Sequence, residues 1–335
     1  MKRRVPDLVD DADRDKLKKT SPPGWVSPML ATLTHEHFSD PDWIYERKLD
    51  GERALAFRSR DKTRLMTRNR KNINANYPEI LDALKRLDGE FIVDGEIVAF
   101  EGRLTSFSRL QERMQITDAD KARASNVKVW YYVFDILYLD GYRLERLPLR
   151  SRKKLLRAAI DFGGPLRFTG HRNRNGETFL QEACDKGWEG LIAKDAASGY
   201  AHARSRSWLK FKCGNSQELV IGGFTAPKGS RVGFGALLVG YYDGDDLCYA
   251  GKVGTGYDDD FLQQFHARLE RIARKTSPFS KGKPKGGDIT WVKPELVGEF
   301  GFTEWTRDGK LRHPRFLGLR RDKPAKQVVR EEPDQ

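Results

Sequence analysis

No apolar run in this 335-residue chain reaches the length of a membrane span, and its first residues, MKRRVPDLVDDADRDKLKK, contain no apolar signal core. Both absences set the expected location in the cytoplasm, with no membrane partner. Cysteine is scarce. Cys184, Cys213 and Cys248 lie far apart along the chain and no C-x-x-C pair occurs, so they read as packing residues of a reducing compartment rather than as a disulfide framework. Histidine is scarce as well. The one close pair, His35 and His37, sits in the polar stretch THEHFSD, which reads as a surface loop and not as half of a zinc site.

Positive charge is in excess. Lys and Arg total 61 against 48 Asp and Glu, a formal +13, which favours a polyanionic partner such as nucleic acid. The length exceeds what one core usually fills, so two domains are expected. Residues 1–24 mix both charge signs with few apolar side chains and read as a flexible tail ending at SPPGW. From residue 25 to 215, strand-like runs such as WIYERKL, EFIVDGEIVAF and KVWYYVFDILYL alternate with helical patterns, an α+β domain with antiparallel sheets. The helices are YPEILDALKRLDG, SRKKLLRAAI with Ser151 as its cap, and ETFLQEACDKG. Residues 216–325 change to short glycine-punctuated strands with one helix at about 259–274, the texture of a small β-barrel of the oligonucleotide-binding (OB) type, and 326–335 form a C-terminal tail.

Chemistry concentrates around Lys48. It stands between Glu46 and Asp50 in WIYERKLDGERALAF, where Asp50-Gly51 turns the chain at a strand end and fixes the side chain's direction. A lysine attacks phosphorus only as the free amine, which neighbouring cations or desolvation favour. Elsewhere VDGEIVAF sets Glu96 after a second Asp-Gly turn, EGLIAKD opens with Glu189 and holds Lys194, and SRSWLKFKC projects Lys210 and Lys212 from one strand face. Two glutamates, several cations and an aromatic strand holding Phe134 make a set suited to a nucleoside triphosphate with a divalent metal. GFGALL has a G-x-G but no following helix, and DGDDLCY reads as a hairpin turn, not a calcium loop.

Taken in order, KLDGER at 48–53, TRNRKN at 67–72, VDGEIV at 93–98, YYVFDILYLDG at 131–141, EGLIAK at 189–194 and WLKFK at 208–212 resemble the motifs of covalent nucleotidyltransferases, specifically ATP-dependent DNA ligases. The stretches FGALLVGYYDGDDLCYAGKVGTGY and RHPRFLGLRRDKP look like the barrel and C-terminal motif of the bacterial ligases linked to end joining. The resemblance implies a nucleotidyltransferase (adenylation) domain followed by an OB-fold domain. It implies that Lys48 takes AMP from ATP as a phosphoramidate, that Glu46 and Phe134 seat adenosine, and that Arg53 and Arg68 hold ribose and phosphates or the 5′-phosphate of the nick. Glu96 and Glu189 would bind Mg²⁺ or Mn²⁺ or the ribose edge. Lys194, Lys210 and Lys212 would neutralise the α-phosphate and the leaving pyrophosphate, and Arg320, Asp322 and Lys323 would orient pyrophosphate.

Larger relatives place a helical DNA-binding domain before the lysine motif, and only a short charged tail stands there in this chain. Basic loops such as ASGYAHARSRS at 197–207 are therefore expected to help grip nicked double-stranded DNA, with Arg204 and Arg206 as phosphate contacts. The implied partners are a Ku-like end-binding protein and a separate repair polymerase, and the implied state is a monomer. The rival readings are an RNA ligase, a GTP-using capping enzyme, and a noncatalytic nucleic-acid-binding protein.

Overall fold

The computed structural model describes residues 4–60, 62–227, 229–284, 288–320 and 323–331, and the chain divides after Cys213 into two compact units. The strands of the first unit are β1 (Lys18–Lys19), β2 (Leu30–Leu33), β3 (Trp43–Arg47), β4 (Glu52–Arg58), β5 (Thr63–Thr67), β6 (Phe91–Glu101), β7 (Leu104–Thr105), β8 (Val129–Leu139), β9 (Tyr142–Arg143), β10 (Leu166–Phe168), β11 (His171–Arg172), β12 (Gly190–Asp195) and β13 (Arg204–Lys212). Its helices are α1 (Pro78–Arg86), α2 (Phe107–Met114), α3 (Ala119–Arg123), α4 (Leu149–Ala159) and α5 (Gly176–Asp185). One sheet runs β1-β9-β8-β6-β4-β5, with β10 beside β8 and β7 beside β6; the other runs β11-β3-β12-β13-β2. Two pairings, β10 with β8 and β13 with β2, are parallel departures from the antiparallel pattern expected.

Alternation along the strands decides what each face meets. On β4, Ala54 and Ala56 join Val93, Tyr131, Ile80 of α1 and Leu155 of α4 in one core, while Leu55 and Phe57 join Ile92, Phe134, Tyr200 and Trp208 in another. Trp208 belongs to β13, so this second core lies between the two sheets. Arg53 has the parity of Leu55 and faces the same way.

The second unit holds β14 (Asn215–Thr225), β15 (Leu237–Asp243), β16 (Asp246–Val253), α6 (Asp259–Arg271), β17 (Ala273–Arg274), β18 (Ile289–Phe302), β19 (Glu304–Trp305), β20 (Leu311–Arg312) and β21 (Arg315–Arg320). Its main sheet runs β16-β15-β14-β18-β17, with β21 also paired to β18. Asp258 caps α6 by accepting from the Phe261 amide at 2.7 Å, and Leu262, Phe265 and Leu269 pack onto Leu219, Ile221 and Val239. The DGDD stretch forms the turn of the β15–β16 hairpin, with Gly244 at φ 59°.

Several local expectations are corrected. Asp94-Gly95 is not a turn: β6 runs straight through it, and the register against β8 shifts there, a bulge where a Cβ on Gly95 would lie 2.6 Å from the Tyr132 carbonyl oxygen. Ser151 does not cap α4, which begins at Leu149; its hydroxyl donates to Asp13 at 2.8 Å. The N-terminal segment is not a loose tail, because Val5 and Val9 are buried in the first core and β1 pairs with β9. Nor is 197–207 a loop throughout, since β13 begins at Arg204 and Tyr200 is buried. Cys184 and Cys213 form a disulfide with Cα atoms 5.2 Å apart. Distance along the sequence misled there: a turn after α5, with the Trp188 amide on the Ala183 carbonyl at 2.9 Å and the Cys213 amide on Glu189 at 3.1 Å, brings the helix end to the end of β13.

Helix α4 is anchored by a buried ion pair. Arg152 donates to both oxygens of Asp135 at 2.7 and 2.9 Å, with neither side chain exposed, and to the carbonyls of Leu147 and Ser198 at 2.6 and 3.0 Å. Removing one partner strands the other charge in the interior. Arg152→Ala is expected to lower unfolding free energy in urea titrations by roughly 3–5 kcal/mol; a loss under about 1 kcal/mol would contradict the burial of this pair. The disulfide is checked by thiol titration of denatured, unreduced protein, which should detect Cys248 alone until a reductant is added.

Candidate active site

Lys48 stands immediately past the end of β3. Its Nζ is hydrogen-bonded and ion-paired to Oε1 of Glu189, and its amide donates to the Gly190 carbonyl at 2.9 Å. Gly190 makes this approach feasible. Its φ of 143° and the 2.0 Å that would separate an added Cβ from the Phe211 carbonyl oxygen leave room for glycine alone. Gly51 is required similarly, since a Cβ there would lie 2.2 Å from the Ile97 carbonyl oxygen. The Lys48 and Glu189 side chains are 19% and 24% exposed, so the pair is partly buried and still reaches solvent.

Strand register places the other cations. Facing Cα partners are Gly190 with Lys212, Ile192 with Lys210 and with Glu46, and Lys194 with Trp208. Facing residues of neighbouring strands share a face, so Lys212, Lys210, Glu46, Lys194 and Trp208 line one side of this sheet. Lys212 marks the Lys48 end.

Glu46 is buried and shared by two lysines: Lys153 Nζ donates to its Oε1 and Lys194 Nζ to its Oε2, the latter at 2.6 Å. Burial alone would raise the Glu46 carboxyl, but Lys153 and then Lys194 outweigh it and hold the group below the usual carboxylate range. Burial pulls Lys194 down to about 8; Glu46 opposes the shift and Lys153 adds to it. Two ammonium groups on one carboxylate leave the cluster net cationic. Lys153 also donates to the carbonyls of Thr169 at 3.1 Å and Phe134 at 3.4 Å.

Phe134 lies between the sheets, edge-on to Trp208 with ring centres 5.9 Å apart. The Arg53 guanidinium is 4.5 Å and the Lys194 ammonium 4.3 Å from its ring centre. Arg53 is fixed from behind. Its Nε and Nη2 donate to the two oxygens of buried Asp94 at 2.5 and 2.6 Å, and the Tyr200 hydroxyl donates to Asp94 at 2.5 Å. Burial works against the Arg53 charge, but Asp94 more than compensates and raises its pKa above the ordinary value. Arg53 is thus committed to Asp94 and supports the Phe134 ring.

Glu96 on β6 faces Arg53 on one side and Tyr132 on the other. Arg68 follows β5 in the turn where the Lys71 amide bonds the Thr67 hydroxyl at 3.2 Å. Arg204 and Arg206 are exposed at the opposite end of β13 from Lys212, with Arg204 Nη1 on the Ala31 carbonyl at 2.6 Å. In the second unit, Arg320 Nε lies 3.5 Å from one oxygen of Glu218 and Lys323 pairs with the other; Asp322 lies outside the described residues. Among the described residues no three His, Cys, Asp or Glu converge as a metal cage. Glu96 and Glu189 are hard oxygen donors, and one or two carboxylates with substrate phosphates completing the shell is how Mg²⁺ is commonly held.

Sequence reasoning missed Lys153, Asp94, Tyr200 and Trp208. Lys153 sits in the basic run SRKKLL and meets Glu46 across 107 positions, so nothing local marks it. Asp94 was hidden by its resemblance to a turn residue.

Comparison with known proteins fits this arrangement. Residues 28–212 match the family described as ATP dependent DNA ligase domain, and residues 230–323 match the ATP dependent DNA ligase C terminal region. The multifunctional non-homologous end joining protein LigD of Pseudomonas aeruginosa is 38% identical over 329 residues, covering 94% of this chain and 38% of that protein. LigD of Mycolicibacterium smegmatis is 35% identical over 325 residues, covering 95% of this chain and 41% of its own length. The chain therefore spans well under half of these relatives. A solved structure, mycobacterial DNA ligase D complexed with ATP and MES, superposes with a TM-score of 0.64 at 34% identity, covering 91% of this chain and 98% of that one. The α+β class expected from the sequence, a nucleotidyltransferase domain followed by an OB-fold domain, holds. The chain belongs to the ATP-dependent DNA ligases.

Proposed function

We propose that this protein seals 5′-phosphate/3′-hydroxyl nicks in double-stranded DNA through AMP carried on Lys48. The observation that supports this reading best is Lys48 paired with Glu189 at the end of a sheet face that also carries Lys210 and Lys212, with the Phe134 ring lying between the two sheets.

In the first step the Lys48 Nζ lone pair attacks the α-phosphorus of ATP. The N–P bond forms, the bond to the bridging oxygen breaks, and pyrophosphate leaves. Glu189, already hydrogen-bonded to Nζ, is an acceptor for the proton that the amine gives up. Lys210 and Lys212 offset charge that develops on the phosphates. Phe134, backed by Arg53, offers a face to adenine, and the Glu46 carboxylate offers an acceptor for an amino group on the base. In the second step an oxygen of the 5′-phosphate at the nick attacks the same phosphorus and Lys48 leaves. In the third the 3′-hydroxyl attacks the activated 5′-phosphate and AMP departs. All three are in-line displacements that depend on position and charge neutralisation. A divalent cation, Mg²⁺ or Mn²⁺, held by Glu96 and Glu189 would supply further charge neutralisation at the phosphates.

Arg320 and Lys323, with Asp322, are assigned to pyrophosphate, and Arg204 and Arg206 to DNA phosphates. The setting we propose is the repair of breaks by end joining in the bacterial cytosol, because the LigD relatives are named for it. There the chain would act as a monomer with a Ku-like end-binding protein and a separate repair polymerase.

Incubation with α-labelled ATP and a divalent cation is expected to leave label on the denatured protein, none with GTP, and none in Lys48→Ala. Absence of label after pyrophosphate pretreatment, which strips pre-existing AMP, would overturn the proposal. A second prediction concerns pH. Lys194 is charged below about 8 and neutral above it, so a cation facing an anionic nucleotide disappears as pH rises. ATP binding to Lys48→Ala protein should weaken several-fold from pH 7 to 9, and Lys194→Gln should flatten that dependence, read by equilibrium titration.

A further inference from the structure

The N-terminal segment builds something on the ligase domain. β1 pairs with β9 through Lys18 opposite Arg143 and Lys19 opposite Tyr142, and the Thr20 amide donates to Gly141 at 2.8 Å. This docking closes one side of a cavity of about 210 Å³ lined by Lys16, Lys18, Arg143, Arg146 and His202, with Glu145 and Tyr200 completing its wall. Lys16 and Lys18 precede residues 28–212, the segment matching the ligase domain family.

Glu145, the acid in this lining, already has a cation of its own, and Lys16 of the lining is engaged by Asp13 outside it. Arg143 holds Glu145 through two hydrogen bonds of 2.6 and 2.8 Å, and Lys16 holds Asp13 at 2.7 Å with Ser151 as a second donor. Lys18 and Arg146 are exposed and in surplus, so the cavity presents net positive charge. His202 is braced between the Ser27 carbonyl at 3.2 Å and Glu145 at 3.5 Å, with its ring 5.8 Å from that of Tyr200. Tyr200 turns its hydroxyl inward to Asp94 and offers only its ring to the wall. Such a lining has donors for oxygen anions and is more polar than apolar, its apolar part including the Tyr200 ring. It suits a phosphate group and is unsuited to a nucleoside.

The direction of β13 identifies the source of that phosphate. From His202 the chain enters β13 at Arg204, passes Arg206, and ends with Lys210 and Lys212 beside Lys48. One basic strand therefore links the cavity to the reacting end of the site. We propose that this cavity binds a backbone phosphodiester of the DNA duplex at a distance from the nick, an inference that rests on the ligase reading. The N-terminal segment thereby serves as a grip on the duplex.

The test uses the double variant Lys18→Ala/Arg146→Ala and fluorescence anisotropy with nicked duplex across 50–200 mM salt, beside adenylation from α-labelled ATP. Expected are a roughly fivefold weaker affinity at low salt and a log K against log salt slope shallower by about 1, one phosphate contact being worth ~0.9. Lys18→Arg/Arg146→Lys should keep the parental slope. Unchanged affinity and slope in the alanine variant would overturn the proposal. So would binding of inorganic phosphate that depends on these two residues while DNA binding does not. Adenylation separates the two readings: a parent protein that binds DNA through this cavity yet takes no label from ATP would fail the ligase proposal and leave the cavity standing.

Discussion

The first unit is organised around one carboxylate that cannot be left alone. Glu46 lies between the strands of a sheet, out of reach of water, and an isolated charge there would be prohibitively unfavourable. Lys153 from α4 and Lys194 from β12 answer it, so a helix and two strands are bound to one point. β3, which carries Glu46, ends at Arg47, and Lys48 follows it directly. The position of Lys48 is set by a buried ionic cluster rather than by its own contacts alone. Buried pairs of this kind are weak sources of net stability, because desolvation offsets most of the attraction. Their value in this chain is geometric: the same Lys153 also fixes the carbonyls of Phe134 and Thr169.

A second triad works in the same sense on the neighbouring sheet. Asp94 gathers Arg53 and Tyr200, and Arg53 in turn lies against Phe134. Aromatic ring and cation thus arrive already aligned. Preorganisation of this type is what an in-line displacement with no strong general base needs most.

Much of this was legible in the sequence, and the division follows the physics. Lys48, Glu189, Lys194, Lys210 and Lys212 were visible because strand alternation and Asp-Gly or Glu-Gly punctuation are local properties. The helix at α6 was visible for the same reason, with acids at its start and basic residues at its end. What could not be read depended on contacts across the chain. Lys153 looked like one more lysine on a helix, Cys184 and Cys213 looked unrelated, and Asp94-Gly95 looked like a turn although tertiary packing carries the strand straight through it. The N-terminal segment was misread because two buried valines and a two-residue strand are too little signal against a run of mixed charge.

Trp208 stands where these networks meet. Its indole is buried, its Nε1 has no hydrogen-bond partner among the described residues, and the Lys194 ammonium lies 4.0 Å from its ring. A charge held that close to an indole shifts the energy of its excited state. The colour and yield of Trp208 emission are therefore tied to where Lys194 sits and to what lies against Phe134. Trp208, one of seven tryptophans in the chain, is thus an optical reporter of where the Lys194 ammonium sits.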